Sequence, residues 1–261
     1  MSKQGQTLDC DLLVIGSGAG GLSAAVTAAH LGLKVVVAEK DAQFGGTTAW
    51  SGGWMWIPRN PLAREAGYHE DLRGPLAYLR HELGERFDEA RVEAFLAQGP
   101  RMVEFFRGHT QLQFIAGNAI PDFHGHSPGA ATGARSVCAA PFDIRRLGAQ
   151  MQALKPPLRE TTLWGMGIAS GLELRHFLNA LRKGASLRYV AARVLRHAWD
   201  RLLYGRGTRA VNGHALVAAL AASAFERGVQ LLTQSPAVRL VRSAHRVEGA
   251  VLQTPQGELS V

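Results

Sequence analysis

The chain has 261 residues, a formal net charge of +8 and 46% hydrophobic residues, which is the composition of an ordinary globular protein. Its two cysteines, Cys10 and Cys138, exclude a disulfide framework and point to buried structural thiols in a reducing cytoplasm. No apolar run approaches the roughly 20 residues of a membrane span, the polar start up to Asp11 is no secretory signal, and the dispersed arginines read as a solvated, ion-paired surface, with no nucleic-acid-binding module among them.

The first element is the apolar run Leu12–Ile15, read as a strand buried on both faces. Gly16, Gly18 and Gly21 follow at G-x-G-x-x-G spacing and lead into an Ala-rich helix that ends near Gly32. A second strand, Val35–Ala38, stops at Glu39. A dinucleotide fingerprint requires this order. Gly16 permits the tight turn, Gly18 lets the backbone approach a pyrophosphate, and Gly21 lets helix and strand pack closely. Ser17, Ala19 and Gly20 complete the turn, and the N–H groups and positive dipole end of the helix face the phosphates. Glu39, with Lys40 behind it, is placed to accept hydrogen bonds from ribose hydroxyls. A carboxylate there repels a 2′-phosphate and disfavours NADP.

Gly45, Gly46, Thr47, Thr48, Ser51, Gly52 and Gly53 form a second glycine- and hydroxyl-rich loop. A nicotinamide dinucleotide has no general need of it. A longer ligand does, because its flavin end must be held by close backbone approach and small hydroxyl donors. Trp54, Trp56 and Ile57 then either line the space beside a flavin ring or form plain core.

From Pro61 to Arg107 the spacing is helical, with Asp88 as an N-cap and Gly99-Pro100 as an interruption before a last turn, Met102 to Phe106. Leu112–Ile115 is a short strand candidate. The following loop carries His124 and His126, which lack the Cys, Asp or Glu spacing of a metal site, so no metal is expected. Arg145-Arg146 reads as an anion contact or as a partner for Asp143. Glu173 to Leu203 reads as a basic helix half-buried on the protein's own core. Asn212-Gly213 opens an apolar Ala/Leu helix stopped by Gly228. Strands over Val229–Thr233 and Val238–Val241 and a hairpin turning at Pro255-Gln256-Gly257 close the chain.

Several of these stretches resemble the FAD-dependent flavoproteins of the fumarate reductase and 3-ketosteroid Δ1-dehydrogenase superfamily. The resemblance rests on GSGAGG (Gly16–Gly21), Glu39, the run Gly45–Gly67, PDFHGHSPGAATGARS (Pro121–Ser136), PFDIRRLG (Pro141–Gly148) and Asn212–Val241. It implies an α/β, Rossmann-like FAD-binding domain of the glutathione reductase type, with a dinucleotide-binding unit and flavin loop over 1–60, a mainly helical insertion over 61–210 and a return to the FAD fold over 211–261. The backbone near Ala237 and Val238 would contact the adenine. A substrate or cap domain is expected after Val261, so the chain reads as the N-terminal portion of a longer flavoenzyme.

The implied reaction is dehydrogenation of a C–C bond beside a carbonyl in a small-molecule, ketosteroid-like substrate, with an external electron acceptor. Reduction of a small unsaturated dicarboxylate, or a non-catalytic FAD-binding fragment, are the alternatives. Where ketosteroid dehydrogenases carry a tyrosine at the substrate pocket this sequence has Phe123, which cannot transfer a proton; the adjacent His124 offers a substitute. In the related complex II flavoproteins a histidine of the flavin loop attaches FAD covalently. Here no histidine lies between His30 and His69, which implies noncovalent FAD.

Overall fold

The structure is a computed structural model and describes residues 6–261. Two compact units divide it: the chain up to Gly52 together with Pro141–Val261, and the continuous stretch Gly53–Ala140. The segment read from sequence as one insertion, 61–210, is therefore shared between them.

In the first unit, β1 (Gln6–Thr7) precedes β2 (Leu12–Ile15), α1 (Ala19–His30) and β3 (Val35–Ala38). β2 and β3 are parallel, with Leu12 opposite Val35 and Ile15 opposite Ala38. β3 is buried at every position, whereas Ile15 at the end of β2 is 56% exposed. The strand buried on both faces is thus β3; β2 flanks it, against the expectation from its apolar run.

The second unit contains β4 (Trp54–Trp56), α2 (Pro61–Glu65), α3 (Arg73–Leu83), α4 (Glu89–His109), β5 (Phe114–Ala116) and β6 (Ser136–Ala139). β6 is the middle strand of an antiparallel sheet, between β4 and β5. Asp88 caps α4 by accepting from the N–H of Arg91 at 3.1 Å, as read from the sequence. The expected break at Gly99-Pro100 is absent: α4 runs through Pro100. Proline inside a helix costs about 3 kcal/mol. The buried stripe Val92, Leu96, Gly99, Val103 and Phe106 holds the helix together across it. Gly99 belongs to that stripe because a Cβ there would sit 3.0 Å from Ile57 Cγ2.

Trp56 takes the core alternative. Its ring stacks on Phe95 at 6.2 Å, and its Nε1 donates to Asp122 Oδ1 at 2.7 Å. Asp122 and Glu70 together neutralise the buried Arg135, whose Nη1 lies 2.6 Å from Asp122 Oδ2.

Back in the first unit, β7 (Phe142–Asp143) pairs with β10 (Arg209–Ala210), and β8 (Thr162–Leu163) pairs with β9 (Met166–Gly167). Arg145 makes an ion pair with Asp143, so that arginine is a local partner and no free anion contact. The expected single basic helix is two, α5 (Leu172–Leu178) and α6 (Gly184–Tyr204). Its buried face is not the apolar one. Glu173, Ser186, His197 and Asp200 are inside, while Leu187, Leu195, Trp199 and Leu202 are exposed. Ion pairing explains the inversion: Glu173 holds Arg209 at 2.8 Å and Arg193 at 3.2 Å, and Asp200 accepts from Thr208 Oγ1 at 2.7 Å.

α7 (Asn212–Glu226) is buried at every position from Gly213 to Ala224. Its small side chains let it approach α1, itself Ala-rich and buried at Leu22, Ala25, Val26 and Ala28. β11 (Gln230–Leu232) then pairs parallel to β3, placing β3 at the centre of the sheet. β12 (Ala237–Arg242), β13 (Val247–Thr254) and β14 (Gly257–Ser260) form an antiparallel meander, to which β1 adds a parallel strand. Ala250 and Leu252 of the meander pack on Ala38.

A close approach in this unit is at Gly213, where a Cβ would run into Thr48 O and Ser51 Oγ and lie 2.9 Å from Ser51 O. Gly213→Ala should destabilise the chain by about 1–3 kcal/mol through overpacking. Gly184→Ala, where an added Cβ meets nothing within 4 Å, serves as the neutral control. Urea unfolding of both variants makes the comparison.

Candidate nucleotide-binding site

The site begins where β2 ends. Gly16 has φ 97°, a conformation that favours glycine, and its N–H donates to Ala38 O at 2.8 Å. This fixes the turn onto the neighbouring strand. Ser17 is fully buried; its N–H and Oγ both donate to Glu39 Oε2, at 3.0 and 2.5 Å. Asp41 N–H donates to the other oxygen, Oε1, at 2.9 Å. Gly18 caps α1, Ala19 and Gly20 form its first turn, and a Cβ on Gly21 would strike the carbonyl oxygen of Gly16. The close approach expected of the third glycine is between helix and strand; here the first obstacle is the turn, with Val14 Cγ1 of β2 at 3.2 Å behind it.

The second loop folds onto the first. Gly45 (φ 121°) leads into a 3-10 turn over Gly46–Trp50. Gly45 N–H donates to Ser17 Oγ at 2.9 Å, and Thr48 Oγ1 accepts from Ala19 N–H at 3.0 Å. A Cβ on Gly46 would lie 3.6 Å from Gly18 Cα, and one on Gly18 would lie 3.4 Å from Thr48 Oγ1. Two bare backbones therefore meet at the positive end of α1, forming a cradle that side chains would fill. Such a cradle, beside a buried carboxylate, fits a dinucleotide phosphate bridge.

Thr47, Ser51 and Gly52 are exposed around this cradle, and Ser51 Oγ donates to Thr48 O at 2.8 Å. Lys40 is exposed beyond Glu39. Ala237 and Val238 open β12, which follows the end of β3 closely: Ser235 N–H donates to Glu39 O at 2.8 Å. Gly53, φ 69°, starts the other unit and is buried there. Phe123 and His124 also belong to that unit. Phe123 is 98% exposed, and His124 is paired through Nδ1 with Glu82, whose other oxygen accepts from Ser127 Oγ at 2.6 Å. Those hydrogen bonds, Ser127 first and His124 second, hold the Glu82 carboxyl below its ordinary range.

Sequence reasoning missed several supports of the site. Lys155 Nζ lies 2.5 Å from Asp41 Oδ2 and 4.7 Å from the Trp50 ring, and its hydrogen bond lowers the Asp41 pKa. No local pattern announces a partner 114 residues away. His214, in the first turn of α7, is also new. Burial and the nearby Arg206 push its pKa down to about 3, so it is neutral. Among the cysteines, Cys138 is buried and its thiol is pushed up to about 12, whereas Cys10 is only partly buried.

Residues 11–261 match the FAD binding domain family. The chain belongs to that family. FAD is accordingly its cofactor. A 4-oxocyclohex-2-ene-1-carboxylate 5-dehydrogenase of Sinomonas cyclohexanicum is 36% identical over 251 residues, 95% of this chain and 42% of that enzyme. The crystal structure of a 3-ketosteroid Δ1-dehydrogenase from Sterolibacterium denitrificans, in complex with 1,4-androstadiene-3,17-dione, aligns with a TM-score of 0.86 at 32% identity. That alignment covers 98% of this chain and 46% of the enzyme. A flavocytochrome c3 fumarate reductase shares the fold, with a TM-score of 0.54 at 16% identity over 98% of this chain and 31% of its own. The FAD-binding chain thus spans less than half the length of these relatives. Among its described residues, no helix is long and apolar enough to cross a membrane.

Two outcomes follow from the geometry. Glu39→Gln replaces an acceptor of three hydrogen bonds by a group that offers N–H groups to donors; stability should fall by about 1–3 kcal/mol and FAD affinity with it, read by denaturation and flavin fluorescence titration. His214 has a folded-state pKa depressed from 6.5, so its contribution to stability is present above pH 6.5 and is lost as pH falls toward 3. His214→Leu should flatten the acid limb of stability against pH by up to about 1.4 kcal/mol per unit.

Proposed function

We propose that the turn Gly16–Gly21 and the loop Gly45–Gly52 together hold FAD, and that the protein to which this chain belongs dehydrogenates a C–C bond beside the carbonyl of a ring ketone. The observation that carries the cofactor assignment is the meeting of the two glycine loops through Gly45–Ser17 and Ala19–Thr48 at the start of α1. The N–H groups of that helix end take the phosphates. Glu39 Oε1 has capacity beyond its bond to Asp41, which suits a ribose hydroxyl, and the backbone at Ala237 and Val238 suits the adenine. Thr47, Ser51, Gly52 and Gly53 serve the flavin end.

FAD supplies the hydride acceptor. Removing a hydride and a proton from adjacent carbons also requires a base. Phe123 cannot be that base; in the same loop His124, oriented by Glu82, has a ring nitrogen able to carry a proton. The two more similar relatives support a ring ketone as substrate, since one is named for an oxocyclohexene carboxylate and the other is bound to an androstadienedione. The acceptor of the flavin's electrons is a separate, external molecule. Two cysteines outside any disulfide, one of them deeply buried, fit a reducing cytoplasm.

The purified chain should be yellow or take up added FAD, and acid precipitation should leave the flavin in the supernatant, as noncovalent attachment requires. Flavin in the pellet would contradict that attachment; a colourless protein that takes up none would reject the site assignment. In the full-length enzyme His124→Ala should lower turnover about 100-fold or more if it moves the proton. Undiminished turnover dismisses it.

A further inference from the structure

A cavity of about 360 Å³ opens in the first unit between Pro156–Gly167, the end of α6 and the first turn of α7. Its wall carries Arg159, Arg201, Arg206 and Arg209 and no acidic residue. Arg209 is neutralised by Glu173 at 2.8 Å. Arg206 is not: its Nη1 donates to the carbonyls of Met151 and Leu154 at 3.0 and 2.9 Å, and among the described residues it makes no ion pair with a carboxylate. Burial lowers its pKa, the mark of a cation short of counter-charge.

On the same wall His214 is 6% exposed, and its Nε2 is buried without a hydrogen-bond partner. A buried polar atom left without a partner has lost its water and gained nothing in return. The neutral imidazole carries one N–H, so in the Nε2–H tautomer it is a donor seeking an acceptor. Pro156, Trp164 and Met166 give the rest of the wall an apolar character. The cavity also adjoins the flavin loop: Trp50 Nε1 donates to Pro156 O at 3.2 Å, and Gly213 N–H donates to Ser51 O at 3.1 Å.

We propose that this cavity is a binding site for a small organic carboxylate, with its oxygens on Arg206 and His214 Nε2–H and its apolar body against Trp164 and Met166. A carboxylate is acceptor-only and matches a guanidinium with no carboxylate partner beside an imidazole Nε2 with no acceptor. The volume accommodates a single ring, and the apolar wall disfavours a bare inorganic anion. None of the glycine-loop residues takes part, so the site stands apart from the FAD assignment.

The test titrates benzoate into the 261-residue chain, with and without FAD, following tryptophan fluorescence and ligand-observed NMR, with benzamide as the neutral isostere. Saturable benzoate binding is expected, at least tenfold tighter than benzamide. His214→Leu and Arg206→Gln should each weaken it at least tenfold. Arg206 also braces two carbonyls, so the exposed Arg159→Ala is the variant that leaves folding intact; it should weaken benzoate several-fold at an unchanged unfolding midpoint. Equal binding of benzamide, no saturable benzoate binding to the folded chain, or an affinity untouched by His214→Leu and Arg159→Ala would overturn the site. Because the titration is read without FAD as well, failure to bind flavin leaves its outcome intact.

Discussion

The buried carboxylate of Glu39 accepts from Ser17 N–H, Ser17 Oγ and Asp41 N–H, and through Ser17 Oγ it also holds the N–H of Gly45. A carboxyl group at 6% exposure is tolerated only when its oxygens are satisfied, so these bonds are a condition of folding as much as a result of it. They tie together the glycine turn after β2, the end of β3 and the start of the second glycine loop. The positive φ angles of Gly16 and Gly45 go with that arrangement, because the chain turns sharply where Gly16 N–H reaches Ala38 O and where Gly45 N–H reaches Ser17 Oγ. A residue expected only to meet a ribose also builds the glycine turn after β2.

Close backbone approach is the second constraint, and it is met by the absence of side chains. Gly18 faces Gly46, Gly21 faces Gly16, and Gly213 faces Thr48 and Ser51. α7 is buried almost end to end and is rich in Ala, Leu and Val, so it seats the second glycine loop on one side and α1 on another. The cradle is backed by a helix buried from Gly213 to Ala224. This is the usual way a binding backbone is held: a packed element behind, a bare turn in front.

Charge is handled differently away from the cradle. Arg135 is enclosed by Glu70, Asp122 and Trp56 in one unit, and Glu173 gathers Arg193 and Arg209 in the other. Buried pairs of this kind add little net stability over apolar packing but are strongly destabilising to break, and they select one arrangement of the surrounding helices. They also decide which face of α6 turns inward, leaving Trp199 and several leucines outside. Arg206 and His214 depart from the pattern, since no acid answers them.

The sequence by itself determined the parts governed by short-range rules. The glycine spacing, the two apolar strands, the Asp88 cap, the Gly228 stop and the second glycine loop all express constraints within a few residues, and from these the FAD-binding fold and the residues of its turn were legible. Tertiary structure alone decided what depends on distant partners. β3 became the central strand because β11, nearly 200 residues later, pairs with it. α4 ran through Pro100 because a buried stripe outweighed one missing hydrogen bond. The inward face of α6 was set by Glu173 and Thr208, which lie outside that helix. Lys155 at Asp41 and His214 beside Arg206 had no local pattern at all, since a charge partner is recognised by distance in space, and sequence separation carries almost no information about that.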